Sequence, residues 1–137
     1  MNNKKTTLNL PILVAEDNEI NQKVISAILS RNGFHFEIVN NGLEAYEKIK
    51  NNPFCLILMD CQMPVLDGLE ATLKIRDYEQ QQRKKSCPII ALTANAMLGD
   101  KEKCLASGMN DFLSKPFKKE DLIEKIITWT SIENQNA

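Results

Sequence analysis

A chain of 137 residues with 43% apolar and 26% charged side chains is long enough to bury one core and too hydrophobic to stay disordered, which restricts it to a single globular domain. Lys and Arg (17) almost cancel Asp and Glu (18), so no basic field exists to gather phosphate backbones, and nucleic-acid binding by this domain is not expected. The apolar stretch LNLPILVA (8–15) is broken by Pro11 and closed by Glu16 and Asp17, too short for a membrane span and without the layout of a cleavable signal, so no membrane contact and a cytoplasmic location are expected.

After a polar start, MNNKKTT, the run ILVA (12–15) reads as a strand, and Ile20, Val24, Ala27 and Ile28 then recur at helical spacing until Gly33. FHFEIV (34–39) supplies a second strand, NGLEAYEKIKNN (41–52) a helix stopped by Pro53, and FCLILM (54–59) a continuous apolar strand that reaches Asp60. Leu69, Thr72, Leu73 and Arg76 mark a third helix, whose end EQQQRKK (79–85) reads as a solvated loop. PIIALT (88–93) is a fourth strand, and the segment from about Met97 to Ala106, closed by Gly108, a fourth helix. DFLSK (111–115) is a fifth strand, and Leu122, Ile123, Ile126 and Ile127 form the buried stripe of a last helix. The organisation is a polar segment 1–10, one domain 11–130 and a polar tail 131–137, SIENQNA. Strands alternating with helices imply a parallel sheet covered on both faces, an open α/β class.

In such sheets ligands bind beyond the carboxyl ends of the strands, so the first polar residue after each apolar run is informative. These are Glu16 and Asp17, Asp60, Thr93, and Lys115 followed by Pro116; the second strand ends in neutral Asn40 and Asn41. If the first and third strands are neighbours, at the usual ~4.8 Å, three carboxylates crowd together and repel unless a cation intervenes. An all-oxygen acidic set selects a hard ion such as Mg²⁺, with manganese a workable substitute. Thr93 offers a hydroxyl and Lys115 a point charge suited to the oxygens of a phosphoryl group, and Asp60 a carboxylate nucleophile. In-line phosphoryl transfer needs positioning and charge neutralisation more than proton chemistry, so this set is complete for transfer onto Asp60.

Several residues have plainer readings. Asp67-Gly68 is a turn or helix cap, and Asp100 and Asp111 read as solvated in the same way. His35 follows a glycine turn and reads as surface, so the chain is not the phosphodonor; Trp129 anchors the last helix to the sheet. Cys55, Cys61, Cys87 and Cys104 show no CxxC and no Cys/His grouping, so neither zinc nor a redox pair is indicated, and Cys61 is taken as a mere neighbour of Asp60. GxxxxGK[ST] and GxGxxG are both absent, which argues against nucleotide-binding loops.

Through ILVAEDN (12–18), LILMDCQMPVLDG (56–68), ALTA (91–94) and FLSKPF (112–117), the chain resembles the response-regulator receiver domain of two-component signalling. The phrasing DCQMPVLDG, LTANAM and GMNDFLSKP is most similar to receivers of hybrid sensor histidine kinases. The resemblance implies a three-layer α/β/α, flavodoxin-like fold with a five-stranded parallel sheet in the order 2-1-3-4-5. It implies that Asp60 takes a phosphoryl group from a phosphohistidine, with Mg²⁺ held by Asp17, Asp60 and the backbone carbonyl of Gln62, and Glu16 acting through water. Lys115 would pair with the phosphoryl group, Thr93 would move toward it, and Phe112 would turn inward behind Thr93, relaying the change to the surface around the fourth helix. The Lys115-Pro116 bond is expected to be cis. Here the acidic pair is Glu16-Asp17 in place of two aspartates.

On this reading the isolated domain catalyses only its own phosphorylation and dephosphorylation. Its partners would be the dimerisation and phosphodonor domain of a histidine kinase and a histidine phosphotransfer domain, with a phosphorylation-dependent homodimer left open. Asn18, Ile20, Asn21 and Pro116 are expected to form the docking rim, and Gln62 and Asn95, each two positions beyond a site residue, to tune the lifetime of the phosphorylated state. The alternatives are a stand-alone single-domain response regulator, a binding module that has lost phosphorylation, and a Mg²⁺-dependent phosphohydrolase with an aspartyl phosphate. The last needs a second acid just after the nucleophile, which DCQMP lacks.

Overall fold

A computed structural model describes residues 10–94 and 98–136. In chain order the elements are β1 (Ile12–Ala15), α1 (Glu19–Arg31), β2 (Phe36–Val39), α2 (Gly42–Asn51), β3 (Leu56–Asp60), α3 (Gly68–Gln81), β4 (Ile89–Thr93), α4 (Leu98–Ser107), β5 (Asp111–Ser114) and α5 (Lys119–Asn136). All pairings are parallel and the sheet order is β2-β1-β3-β4-β5, as the resemblance implied. Helix α5 continues to Asn136, through most of the segment read as a polar tail.

The side chains of each strand alternate between two cores. Leu13, Ala15, Ile57, Met59, Ile89 and Ala91 point to one face and meet Ala45, Ile49, Ala71, Ile75 and Cys104 of α2, α3 and α4. Ile12, Val14, Leu56, Leu58, Ile90 and Leu92 point to the other and meet Ile25 and Leu29 of α1 with Leu122 and Ile126 of α5. Burial on both faces is why these strands read as continuous apolar runs. Helix starts are set locally: the side chains of Asn18, Asn41 and Asp67 accept the backbone N–H three residues on, at 3.0, 2.8 and 2.9 Å.

The structure decides which apolar residues of three helices face the sheet, and it removes Ile127 from the buried stripe expected of α5. On α1 the sheet takes Ile25 and Leu29, with Ile28 half-buried, whereas Ile20 and Val24 are 72% and 48% exposed. Two i, i+4 rows lie side by side on that helix, and the packing of α1 over β1 and β3 selects the second. On α3, Ala71 and Ile75 make the contact and Leu73 is exposed; on α5, Ile127 is exposed.

The patch read as a solvated loop is partly helix, and its Glu79 is buried. Arg76 donates to Glu79 (2.8 Å), to the carbonyls of Cys87 (2.8 Å) and Gly108 (2.9 Å), and to the Asn110 side chain (2.8 Å), tying α3 to the segments that lead into β4 and β5. Asp111 is likewise engaged: Lys125 donates to both its oxygens at 3.1 Å and the Trp129 indole at 3.0 Å, which anchors α5 as expected of Trp129. Burial raises the Asp111 pKa, but the indole, the Phe112 N–H and Lys125 together hold it below the ordinary value. His35 is exposed, and the Asp100 side chain lies outside the described residues. Among the described residues no helix is long and apolar enough to cross a membrane.

Candidate functional site

The sheet order puts the carboxyl ends of β1 and β3 side by side, with those of β4 and β5 following. Beyond Ala15 the backbone stays tied to the sheet through Glu16 N–H to Val39 O (3.1 Å), which carries the Glu16 side chain fully inside. One Glu16 oxygen accepts from Lys115 Nζ at 2.9 Å and the other from the Asn18 N–H at 3.1 Å. Asp17, next along, is exposed.

Asp60 closes β3 and is buried, its Oδ1 accepting the Gln62 N–H and its Oδ2 accepting Lys115 Nζ, both at 3.1 Å. The loop after it folds tightly back, with Gly68 N–H donating to Cys61 O at 3.1 Å; a Cβ at position 68 would collide with Asp60 O. Gly42 is required for the same reason, because the Leu66 carbonyl sits where its Cβ would be. Lys115 follows β5, its N–H donating to Thr93 O at 2.7 Å, and the Lys115-Pro116 bond is cis. A single ammonium therefore bridges two buried carboxylates that are 44 positions apart in the chain.

Oxygens of Glu16, Asp17 and Asp60 all lie within 4.8 Å of one another, with three formal negative charges against the one positive charge of Lys115. The surplus shows in the titration of the pair. Burial pushes the Asp60 carboxyl up to about 6, and the neighbouring Glu16 carboxylate adds to this against the Gln62 N–H and Lys115. Glu16 also feels burial, but the bonds from Lys115, the Asp60 carboxyl and the Asn18 N–H together outweigh it and hold Glu16 below its ordinary value. Burial lowers the Lys115 pKa, yet its two carboxylate partners raise it further. Lys115 is thus paired with both carboxylates, and of the two Asp60 is the one that takes up a proton first as pH falls. A divalent cation would cancel the residual charge of two, and an all-oxygen set without His or Cys suits Mg²⁺.

Thr93 ends β4, buried, with Ser114 opposite it in β5. Phe112 is half-buried, with Lys101 Nζ 5.0 Å from its ring centroid. Of the expected rim, Asn18, Ile20 and Pro116 are exposed and Asn21 is half-buried. The Gln62 side chain is exposed, and Asn95 lies outside the described residues. Sequence reasoning missed Gln22, whose amide donates to Glu16 O (2.5 Å) and Asn40 Oδ1 (2.8 Å), bracing the end of β1 against the β2 side. It also missed that Cys61 and Cys104 meet, Sγ to Sγ at 3.3 Å. No local spacing rule relates either pair.

The family described as the response regulator receiver domain matches residues 12–127. Hybrid signal transduction histidine kinase B of Dictyostelium discoideum is 47% identical over 124 residues, covering 85% of this chain and 6% of that protein. Signal transduction histidine-protein kinase BarA of Escherichia coli K12 is 42% identical over 118 residues, covering 86% and 12%. The chain thus spans a small fraction of the length of these curated relatives. Among solved structures, the receiver domain of a Pseudomonas aeruginosa sensor histidine kinase with a magnesium ion coordinated in the active site cleft is 46% identical, with a TM-score of 0.81, covering 90% of this chain and 98% of that one. The receiver domain of the Saccharomyces cerevisiae response regulator Ssk1, in complex with the histidine phosphotransfer protein Ypd1, is 37% identical with a TM-score of 0.87 and covers 92% of each chain. With a match that runs through Glu16, Asp17, Asp60, Thr93 and Lys115, the chain belongs to the response regulator receiver domains.

Proposed function

We propose that the chain is the phosphoryl-accepting receiver of a phosphorelay, taking the group from a phosphohistidine onto Asp60, and that it is part of a hybrid sensor histidine kinase. The observation that carries the reading is Asp60 at the end of β3, bridged by Lys115 to Glu16 beside Asp17. Asp17, Asp60 and the Gln62 carbonyl would hold magnesium, with Glu16 acting through water; when bound, the ion supplies positive charge that keeps Asp60 ionised and neutralises phosphoryl oxygens. The Asp60 oxygen attacks phosphorus in line with the departing imidazole, forming P–O as P–N breaks. Lys115 then exchanges its contact with Asp60 for one with a phosphoryl oxygen, while keeping Glu16. Thr93 donates its hydroxyl to another phosphoryl oxygen, and Phe112 fills the space behind it.

Hybrid kinases at 45 to 48% identity in Dictyostelium discoideum support the parent assignment. The magnesium-bound and Ypd1-bound relatives support the ion and a histidine phosphotransfer partner. Asn18, Ile20, Asn21 and Pro116 would form the docking rim, and Gln62 and Asn95 would set water access to the phosphorylated state. A cytoplasmic location accords with a donor charged from nucleoside triphosphate. The test is incubation with a small phosphodonor and Mg²⁺ followed by intact mass: one added phosphoryl group in the wild type and none in Asp60→Asn. Equal labelling of both proteins defeats the assignment.

A further inference from the structure

We infer that Cys61 and Cys104 form a redox-active dithiol that closes to a disulfide under peroxide and slows phosphorylation of the adjoining Asp60. Absence of CxxC spacing argued against a redox pair, but the fold brings together two thiols 43 positions apart, with 3.3 Å between the sulfurs. A disulfide requires about 2.05 Å, so the sulfurs must approach by roughly 1.3 Å.

The two positions divide the work. Cys61 is half-buried, in the loop where solvent reaches the site, whereas Cys104 is 2% exposed beneath it on α4. Peroxide therefore meets the Cys61 sulfur. Sulfur donates an electron pair to one peroxide oxygen, the O–O bond breaks, and water leaves with the thiol proton, giving Cys61 sulfenic acid. The Cys104 sulfur then attacks the Cys61 sulfur, the S–O bond breaks, and hydroxide departs with the Cys104 proton as a second water. Placement of the second thiol at contact distance favours this closure over further oxidation of Cys61. The remaining cysteines are placed differently: Cys55 is buried, which pushes its thiol up to about 11, and Cys87 points its sulfur toward the carbonyls of Phe54 and Pro88.

Closure has a direct route to the phosphoacceptor. The Cys61 backbone is held by its N–H to Leu92 O (3.0 Å) and by Gly68 N–H to its carbonyl (3.1 Å), and it is continuous with Asp60. The helix that carries Cys104 is the next element after β4, which ends at Thr93. Pulling residue 61 toward α4 therefore displaces the Asp60 carboxylate from Lys115 and the metal-binding oxygens, and ties α4 covalently to the site. A displacement of order 1 Å in a positioned reacting group can reduce its rate as much as ~100-fold, so at least roughly tenfold slower labelling is expected.

The slowing rests on the phosphoacceptor reading; the disulfide itself does not. The test treats the whole chain with hydrogen peroxide, maps peptides without reduction, and times phospholabelling of the oxidised and re-reduced protein with a small phosphodonor and Mg²⁺. Expected are a Cys61–Cys104 cross-linked peptide that dithiothreitol reverses, and labelling that recovers on reduction. Cys104→Ser should show no cross-link and instead a Cys61 sulfenic acid captured by dimedone, with labelling insensitive to brief peroxide treatment. Folded protein that shows no cross-link, or a cross-linked protein labelled as fast as the reduced one, overturns the proposal. Failure of reduced protein to label at all would instead defeat the phosphoacceptor assignment while leaving the cross-link to be judged by the map.

Discussion

Replacing Asp60 with asparagine should stabilise the metal-free domain at neutral pH, although it removes the reacting group. In the folded chain the carboxyl titrates near 6 against an ordinary 3.8, a gap of about two pH units, because burial and the Glu16 carboxylate disfavour its charge. Its folded-state pKa lies above its unfolded value, so the folded chain binds the extra proton between these limits. The group's contribution to stability is therefore fully present below about pH 4 and lost as pH rises through 6. That gap corresponds to roughly 3 kcal/mol of strain in the ionised site at about pH 7.5. The amide oxygen that Asp60→Asn introduces still accepts the Gln62 N–H and Lys115 keeps Glu16, so the offsetting loss is about 1 kcal/mol, leaving a net gain of about 2. Urea denaturation in chelator measures it: Asp60→Asn and wild type should be nearly equal at about pH 4.5 and separate progressively toward about pH 7.5. Saturating magnesium should bring them back together, because the cation stabilises the wild-type site. A variant no more stable than wild type at neutral pH in chelator would refute the account of a charge-frustrated crevice.

Arg76→Ala removes four hydrogen bonds and leaves the buried Glu79 carboxylate without its counter-charge, held only by the Cys87 N–H, so it should lose about 3 kcal/mol by chemical denaturation, with Arg76→Ala/Glu79→Gln recovering part of that. Val65 is a β-branched residue at φ 70 in the loop after Asp60, 75% exposed, so Val65→Gly should raise stability by about 1 kcal/mol as relief of strain exceeds the added backbone entropy; a drop in the denaturation midpoint would contradict this. Ile20→Lys should change stability by less than about 0.5 kcal/mol, since the side chain is 72% exposed, and leave small-donor labelling intact while slowing transfer to or from a histidine phosphotransfer protein. Unchanged transfer rates would remove Ile20 from the docking rim.

The order of elements was legible in the sequence because each strand is buried on both faces and therefore spells a short unbroken apolar run, with helical spacing between runs. The candidate site was legible for a related reason: a polar residue ending such a run must sit at the carboxyl end of the sheet, which picks out Glu16, Asp17, Asp60, Thr93 and Lys115 from sequence alone, and the fold brings Glu16, Asp17, Asp60 and Lys115 together. What the sequence left undecided were relations between distant segments. Periodicity on α1 shows two apolar rows, and only the position of that helix over β1 and β3 decides that Ile25 and Leu29 face the core while Ile20 and Val24 face solvent. The bridge from Lys115 to both Glu16 and Asp60, the burial of Glu79 under Arg76, and the contact of Cys61 with Cys104 join residues that no repeat length connects. Local pattern reports the environment along one strand or helix; which environments become neighbours is set by sheet order and by the angle at which each helix crosses it.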